Sequence, residues 1–181
     1  MIGIVLAKRY AQAGIDLAQK AGILKEVGQD LERIAGLFAD SPELANVFAD
    51  PTIAPGAKEK VLAEVLKKGG VQELTMKFIH IVLAKDRILG IGEIADSYRD
   101  LSDKLENRIR ARVVTADRMS DKEKSRIKDA LSKISGKDVI LEVEIDESLL
   151  GGVVAYMGSQ VYDGSIKNQL TQIKDNLSKG R

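Results

Sequence analysis

The stretch LLGGVVAYMGSQVYDGSIKNQL, residues 149–170, decides the fold of the second half of the chain. Paired glycines, Gly151 and Gly152, open a run rich in β-forming residues, and Gly158 interrupts that run. Asp163-Gly164-Ser165 closes it, and an amphipathic helix is predicted to follow. Because glycine is favoured at positive φ and at bulges, we expect a strand–turn–helix unit with one shaped surface. That surface either carries out chemistry or holds a partner.

A phosphate-binding loop is one interpretation of these glycines. A Walker A loop requires G-x-x-x-x-G-K-[ST], with a lysine that reaches the phosphates. Gly152 and Gly158 have the wrong spacing for that motif, and Ser159-Gln160 stands where the lysine and the hydroxyl residue are needed. The dinucleotide fingerprint G-x-G-x-x-G is absent as well. The pattern therefore favours a role in backbone geometry over nucleotide binding.

The triplet Asp163-Gly164-Ser165 also has two interpretations. It could present a serine nucleophile, but the sequence offers no general base for it. It could instead begin the last helix, with Asp163 in an Asx-turn, Gly164 at a positive φ and Ser165 as the N-cap. We expect the second arrangement. The helix that follows places one apolar row at Ile166, Leu170, Ile173 and Leu177.

Upstream of this stretch, the pattern predicts two strands around one helix. From residue 109, Arg110 and Arg112 alternate with apolar residues, which is typical of a strand. Ser120 and Glu123 have the spacing of a capping box and begin a helix. Residues 139–145 alternate again, which predicts a half-buried strand.

A cluster of carboxylates, Glu142, Glu144, Asp146 and Glu147, could bind a metal or act in acid–base catalysis. The first three, however, share the solvent face of one predicted strand. The two arginines of the preceding strand have the same alternate spacing, so the two rows could pair across the sheet. We therefore predict cross-strand ion pairs at this cluster.

Residues 1–108 have helical periodicity instead. Ser41-Pro42 can begin a helix, with serine as the N-cap and proline at the first helical position. Gly69-Gly70 can end another helix, and residues 74–83 form a helix that is apolar on nearly every side. After Lys85-Asp86-Arg87 we expect a helix of about 20 residues, roughly 30 Å long. The chain is predicted to be mainly α, with an N-terminal six-helix bundle (residues 1–108) followed by a smaller α+β domain (residues 109–181).

The predicted first helix has too much apolar surface for a helix that packs on one side only. Either one row packs on the bundle while the other binds a partner helix, or the bundle buries both rows, and the pattern leaves both interpretations open. The first row comprises Leu6, Tyr10, Ala13 and Leu17, and the second comprises Ile4, Ala7, Ala11, Ile15 and Ala18.

Composition narrows the classes of function. The 181 residues are 44% hydrophobic and 30% charged, which is typical of a globular protein, and they include no cysteine for disulfides, thiol catalysis or cysteine-based metal sites. His80, the only histidine, lies in a predicted apolar helix without a pattern of ligands, so we expect a packing or partly exposed helix residue.

A net charge of +1 does not predict a nucleic-acid partner. No apolar run approaches the roughly 18–20 residues that span a bilayer, and the first ten residues do not resemble a signal peptide, so we expect no direct membrane insertion.

Several short motifs occur in an order that is typical of a known protein family. Arg9-Tyr10-Ala11 with Leu17-Ala18 is similar to the pattern R-Y-A-x-A-L-x-x-L-A, and Asp50-Pro51-Thr52-Ile53 with Lys58 is similar to N-P-x-[IV] with a downstream lysine. Lys85-Asp86-Arg87 stands in the place of a K-x-R motif, and residues 113–116 resemble a first strand. Residues 146–165 resemble D-x-S-L-[IL]-G-G…G-D-x-x-x-D-G-S.

In this order and spacing, the motifs resemble the delta subunit of the F-type ATP synthase, whose mitochondrial counterpart is the oligomycin sensitivity-conferring protein. The resemblance covers nearly the whole chain. Two positions depart from the family pattern: Gly14 stands where a larger apolar residue is usual, and Ser159 replaces the usual aspartate after the third glycine.

The resemblance implies a non-enzymatic stator subunit of the peripheral stalk, which links the catalytic head to the membrane-anchored b subunits and resists rotor torque during ATP synthesis. It implies no catalytic residue, cofactor or metal. The family's N-terminal bundle holds the N-terminal helix of an alpha subunit between its first and fifth helices, with the beta subunits as a further partner, and its C-terminal domain meets the b-subunit dimer. The implied location is peripheral, at the cytoplasmic face of the bacterial inner membrane.

Carried over to this sequence, the alpha-subunit groove falls on two sets of residues. The first helix would contribute Tyr10, Ala11, Gly14, Ile15 and Ala18, and the facing helix would contribute Phe78, Ile79 and Val82. The structural signature of the C-terminal domain comprises Gly151, Gly152, Gly158, Asp163, Gly164 and Ser165.

Two other functions remain as alternatives. One is a small helical adaptor of another complex. The other is a small hydrolase or nucleotide-binding enzyme that uses the glycine-rich stretch, although the sequence provides no base, metal site or phosphate loop for it.

Overall fold

The computed structural model describes residues 2–179, except the side chains of residues 172 and 175–179. The chain divides into two compact units, Met1–Leu105 and Glu106–Arg181. The described residues are mainly helical, and the strands form one small sheet in the second unit, as the sequence predicts. None of the described helices is long and apolar enough to cross a membrane.

The first unit consists of helices joined by short turns. Gly22, with φ 69°, is the C-cap of helix α1. The N–H of the next residue, Ile23, donates to the Ala18 carbonyl. Helix α3 begins as predicted at Ser41-Pro42, where the Ser41 hydroxyl accepts from the Leu44 N–H. The helices are α1 Ile4–Ala21, α2 Leu24–Asp40, α3 Pro42–Ala49, α4 Pro55–Lys68, α5 Glu73–Ala84 and α6 Ile91–Leu105, with a 3-10 helix at Ile88–Gly90.

The prediction of one helix of about 20 residues after residue 87 is wrong. The segment forms a 3-10 helix and then the 15-residue helix α6, which at 1.5 Å per residue is about 22 Å long. A residue from the start of the chain packs beside the 3-10 helix. The Ile2 side chain fills the space beside Gly90, where an added Cβ would lie 2.4 Å from Ile2 Cγ1. A local pattern cannot reveal such a contact.

Tyr98 on α6 is central to the core of the first unit. Its ring packs against two glycines, Gly14 of α1 and Gly28 of α2. A Cβ added to Gly14 would lie 3.4 Å from the ring, and a Cβ added to Gly28 would lie 3.3 Å from it. Its hydroxyl donates to the Leu24 carbonyl at 2.9 Å, which satisfies the buried polar group. Gly14, the departure from the family pattern, thus leaves space for an aromatic ring.

The second unit is a four-stranded sheet with two helices. Strand β1 lies in the sheet order β2-β1-β3-β4, parallel to β2 and antiparallel to β3. Helix α7 connects the parallel pair, and it begins at the predicted capping box between Ser120 and Glu123. The elements are β1 Arg108–Thr115, α7 Asp121–Ser135, β2 Asp138–Ile145, β3 Val153–Met157, β4 Gln160–Asp163 and α8 Ile166–Lys179.

The core of the second unit is small and lies between α7 and one face of the sheet. Alternate residues of each strand point to this face, as expected from the period of two. Leu131 of α7 packs against them. The buried strand residues are Ala111, Val113, Val139, Ala155 and Met157.

Candidate partner-binding surfaces

The paired glycines of the second unit allow two backbone segments to approach closely. Gly151 has φ 126° and Gly152 has φ 85°, and side chains rarely adopt these values. A Cβ on Gly152 would lie 2.5 Å from the Gly164 carbonyl oxygen and 2.8 Å from the Ser165 Cα. The Ile166 N–H also donates to the Gly151 carbonyl at 3.0 Å. Backbone geometry therefore accounts for both glycines, and Gly158, with φ 61°, turns the chain between β3 and β4.

The triplet before α8 begins the helix as predicted, with one correction. The Ser165 N–H donates to the Asp163 carboxylate at 2.9 Å, and the Ser165 hydroxyl accepts from the Asn168 N–H at 3.2 Å. Gly164 does not have the predicted positive φ. Its N–H donates to the Val153 carbonyl at 2.8 Å, and a Cβ would lie 3.3 Å from that oxygen, so close approach is its role. Hydrogen bonding from Ser165 holds the pKa of Asp163 below its ordinary value.

The predicted carboxylate cluster forms ion pairs across the sheet. Arg110 Nη1 lies 2.9 Å from Glu142 Oε1, and Arg112 Nη1 lies 3.0 Å from Glu144 Oε2. The Arg112 guanidinium also stacks over the Tyr156 ring, 4.4 Å from its centroid. This confirms the prediction of cross-strand pairing. Among the described residues, no group of three or more histidine, cysteine, aspartate or glutamate side chains could hold a metal ion.

His80 is exposed on α5, in agreement with the interpretation of a helix residue.

The residues predicted to line the alpha-subunit groove lie mostly in the interior of the first unit. Tyr10 is half-buried, and the other seven are buried, with Gly14 facing the Phe78 ring. The buried seven are Ala11, Gly14, Ile15, Ala18, Phe78, Ile79 and Val82.

The two apolar rows of α1 have different environments. The second row is buried except for Ile4, whereas the first row lies at the surface of the unit. On α5, Ile81 is 54% exposed, and it lies one helical turn after Phe78. We call the surface row of α1 the α1 outer row. It consists of half-buried Leu6 and Tyr10 and exposed Ala13 and Leu17.

Helix α8 also exposes its apolar row. Ile166, Leu170 and Ile173 are 43%, 58% and 55% exposed. Leu177, the fourth residue of the predicted row, lies outside the described side chains. Three large apolar side chains at helical spacing form a patch of the kind that marks an interaction site.

A cavity of about 390 Å³ lies where β1 ends and α7 begins, and sequence reasoning missed it. Arg118 follows β1 and Arg126 lies on α7, and both line this cavity together with Gly151 and Gly152. No sequence signal identifies it, because its residues come from three separate segments.

These features are typical of a protein that binds other proteins through exposed apolar helix rows. In the part of the chain that the structure describes, the glycines and carboxylates of the candidate active sites have structural roles, and apolar helix rows remain at the surface. The chain belongs to the ATP synthase delta (OSCP) subunit family, because the model of that family matches residues 6–177. Members of this family are non-catalytic subunits of ATP synthase.

Individual relatives match along their whole length. The ATP synthase subunit delta of Solidesulfovibrio magneticus is 38% identical over 182 residues, covering 99% of this chain and 100% of that protein. The ATP synthase subunit delta of Trichlorobacter lovleyi is 33% identical over 180 residues, with coverage of 99% and 100%. A chain of the Toxoplasma gondii mitochondrial ATP synthase hexamer has the same fold, with a TM-score of 0.68 and 22% identity over 95% of this chain and 97% of that chain.

Proposed function

We propose that this chain is the stator subunit that links the catalytic head of an F-type ATP synthase to the b subunits of its peripheral stalk. The match to the delta family over residues 6–177 carries this proposal. A stator must hold its partners without chemistry of its own, and exposed apolar helix rows are suited to that task. The complex would lie at the cytoplasmic face of a bacterial inner membrane, where this subunit resists rotation of the head.

In this proposal, the first unit acts as one six-helix bundle that binds the N-terminal helix of an alpha subunit, with the beta subunits as a further contact. The α1 outer row and Ile81 of α5 would provide the apolar surface for it. Tyr10 contacts the partner directly. The buried residues of the predicted groove support that surface from below, because they fix the packing of α1 on α5.

A peptide from the alpha-subunit N-terminus provides the test of this surface. We expect micromolar or tighter binding to the full chain by isothermal titration calorimetry, and a Kd at least about tenfold higher for Leu17→Asp, since a charge on the apolar surface must be desolvated. Val5→Asp is the matched control, because Val5 is exposed on another face of the same helix. No binding by the unchanged chain, or equal loss in both variants, would contradict the proposed surface.

The second unit is proposed to bind the b-subunit dimer. A tagged copy of this chain, expressed in its native cells and purified from their membranes, should bring the alpha, beta and b subunits with it. Recovery of a different set of proteins would favour the alternative of an adaptor in another complex.

A further inference from the structure

Strand β2 forms a long edge of the sheet in the second unit. It stands at one end of the strand order β2-β1-β3-β4 and is eight residues long, whereas β4 at the other end has four. It contains neither proline nor glycine, the residues that commonly interrupt pairing at an exposed edge. A long and regular edge of this kind can pair with a further strand.

The hydrogen bonds at both ends of β2 identify the backbone groups that point outward. The Asp138 N–H donates to the Asn107 carbonyl, and the Asp146 N–H donates to the Thr115 carbonyl. Since alternate residues of a strand face the same neighbour, the even-numbered residues of β2 bond to β1. The backbone groups of residues 141, 143 and 145 therefore point away from the sheet, and no described residue bonds to them there.

On the face of the sheet that packs against α7, this edge is apolar. Val143 and Ile145 are 37% and 48% exposed, and a groove of about 420 Å³ lies beside Leu141. Lys124 and Lys128 of α7 also line the groove. Each is ion-paired within the unit, at 3.4 Å to Asp121 and at 2.9 Å to Asp138 respectively. A side chain that enters the groove thus meets aliphatic surface, and both ammonium groups already have a counter-charge.

The opposite face of the edge is acidic. Glu142 and Glu144 project from it, and their side chains are 50% and 56% exposed. Their ion-pair partners, Arg110 and Arg112, lie on β1, so the glutamates stand between these arginines and any strand that is added to β2. A lysine or arginine of an added strand would lie directly opposite a glutamate, and cross-strand pairs of opposite charge are favourable.

The same acids disfavour a second copy of this chain at the edge. In an antiparallel pair of β2 strands related by a two-fold axis, every register that joins five or more residues places an acid opposite an acid. A register centred on Val143 pairs Glu142 with Glu144, and one centred on Leu141 pairs Asp138 with Glu144. Like charges directly opposite each other destabilise a strand pair, so the occupant is a different chain.

We propose that the β2 edge, residues 138–145, is a strand-addition site for an extended segment of another chain in which basic side chains alternate with apolar ones. The backbone of that segment pairs with residues 141, 143 and 145. Its apolar side chains lie along the groove beside α7, and its basic side chains lie against Glu142 and Glu144. This inference goes beyond the proposed function, because it does not depend on which subunits the chain links.

A synthetic peptide with blocked termini that alternates lysine and valine over about nine residues is the probe. Added to the full chain, it should bind saturably in an NMR titration and slow hydrogen exchange of the Leu141, Val143 and Ile145 amides at least tenfold. The control peptide has proline in place of each valine, which keeps the charge but removes backbone donors. We expect no protection of these amides by the control peptide.

Two variants test the backbone and the charges of the edge separately. Val143→Pro removes an outward N–H and no bond to β1, so it should raise the Kd of the peptide at least tenfold. Glu142→Gln/Glu144→Gln should raise the Kd about fivefold, because two pairs of opposite charge are lost. Glu59→Gln/Glu64→Gln is the matched control, since it removes the same charge from exposed positions of α4, and it should change the Kd less than twofold. Circular dichroism establishes that each variant is folded.

Several outcomes would overturn this proposal. Equal protection by the proline peptide would show charge attraction without strand addition. Absence of binding, or protection of β4 in place of β2, would place no strand at this edge. A dimer in analytical ultracentrifugation that Val143→Pro dissociates would show that a second copy of this chain is the occupant. None of these outcomes bears on the proposed function, which binding to the alpha and b subunits tests.

Discussion

Asp30 joins two helices of the first unit through a single buried carboxylate. Its Oδ2 accepts from the Gln72 N–H at 2.8 Å and from the Thr75 hydroxyl at 3.0 Å, at the start of α5. Asp30 and Thr75 are both buried. The α5 terminus is therefore capped by a residue of α2, because its own N-cap position, Gln72, provides no side-chain cap.

Removal of this carboxylate should destabilise the first unit. Asp30→Ala leaves the Thr75 hydroxyl and the Gln72 N–H without their acceptor, so we expect the free energy of unfolding to fall by about 2–3 kcal/mol. Asp30→Asn keeps one acceptor oxygen and should lose less. Urea denaturation of the full chain measures both, and Asp16→Ala, an exposed position on α1, is the control. Equal stability of Asp30→Ala and the control would contradict this cap.

Gly152 combines a positive φ with a close backbone approach, so we expect it to tolerate little change. Gly152→Ala combines a positive φ with a Cβ inside contact distance of the backbone at residues 164–165, so we expect a loss of more than about 3 kcal/mol. Gly158→Ala has a positive φ but open space around the Cβ, and should cost only about 1–2 kcal/mol. Thermal unfolding distinguishes the two variants. A larger loss for Gly158→Ala would mean that the close approach at Gly152 is unimportant.

At the scale of elements, the parallel register of β1 and β2 sets the geometry of the arginine–glutamate pairs. Arg112 lies directly opposite Glu142, but its ion pair is with Glu144, two residues further along β2. Arg110 reaches two residues along the strand in the same way, from the position opposite Ile140 to Glu142. Each arginine thus follows the slanted geometry of a parallel ladder, and one row of charges covers this face of the strand pair.

Reversal of these charges should weaken the strand pair. We expect Arg110→Glu/Arg112→Glu to lose about 1–2 kcal/mol, because half-exposed ion pairs contribute little individually but like charges then repel. The quadruple variant that also carries Glu142→Arg and Glu144→Arg should recover most of that loss. Chemical denaturation at low salt measures the difference. An unchanged double variant would refute a stabilising role for the pairs.

The sequence revealed those features that depend on neighbours along the chain. The capping box at Ser120 and the alternation of the strands could be predicted, because each follows from a local pattern. The contact between Ile2 and Gly90 could not be predicted, since the two residues are far apart in the sequence. The two apolar rows of α1 could be predicted from the sequence. The pattern does not show which of the two rows faces the core around Tyr98.

At the scale of the whole molecule, the two units have separate cores and different numbers of carboxyl groups with a lowered pKa. Among the described carboxyl groups, four with a lowered pKa lie in the second unit, and two lie in the first. In Asp146 and Asp163 the cause is hydrogen bonding from the serine two residues later. A lowered pKa means that the ionised group stabilises the fold above the ordinary value of 3.8, and that this stabilisation is lost as the pH falls below it.

The second unit should therefore lose stability on acidification. We expect its melting temperature, followed by NMR amide resonances of β3, to fall as the pH decreases from about 5 to about 3. The variant Asp146→Asn/Asp163→Asn should show a flatter dependence, because asparagine keeps the turn geometry without a titrating group. An equally steep dependence in that variant would assign the acid sensitivity to other groups.

Under the proposed stator function, the position of strand β1 has a mechanical consequence. It is the first element of the second unit along the chain, and it lies between β2 and β3 in the sheet. A force applied along β1 at its start acts across backbone hydrogen bonds on both edges of this strand. These bonds are loaded together in shear and are not peeled apart one by one. The covalent connection between the units thus enters the sheet at a central strand, which is held on both edges.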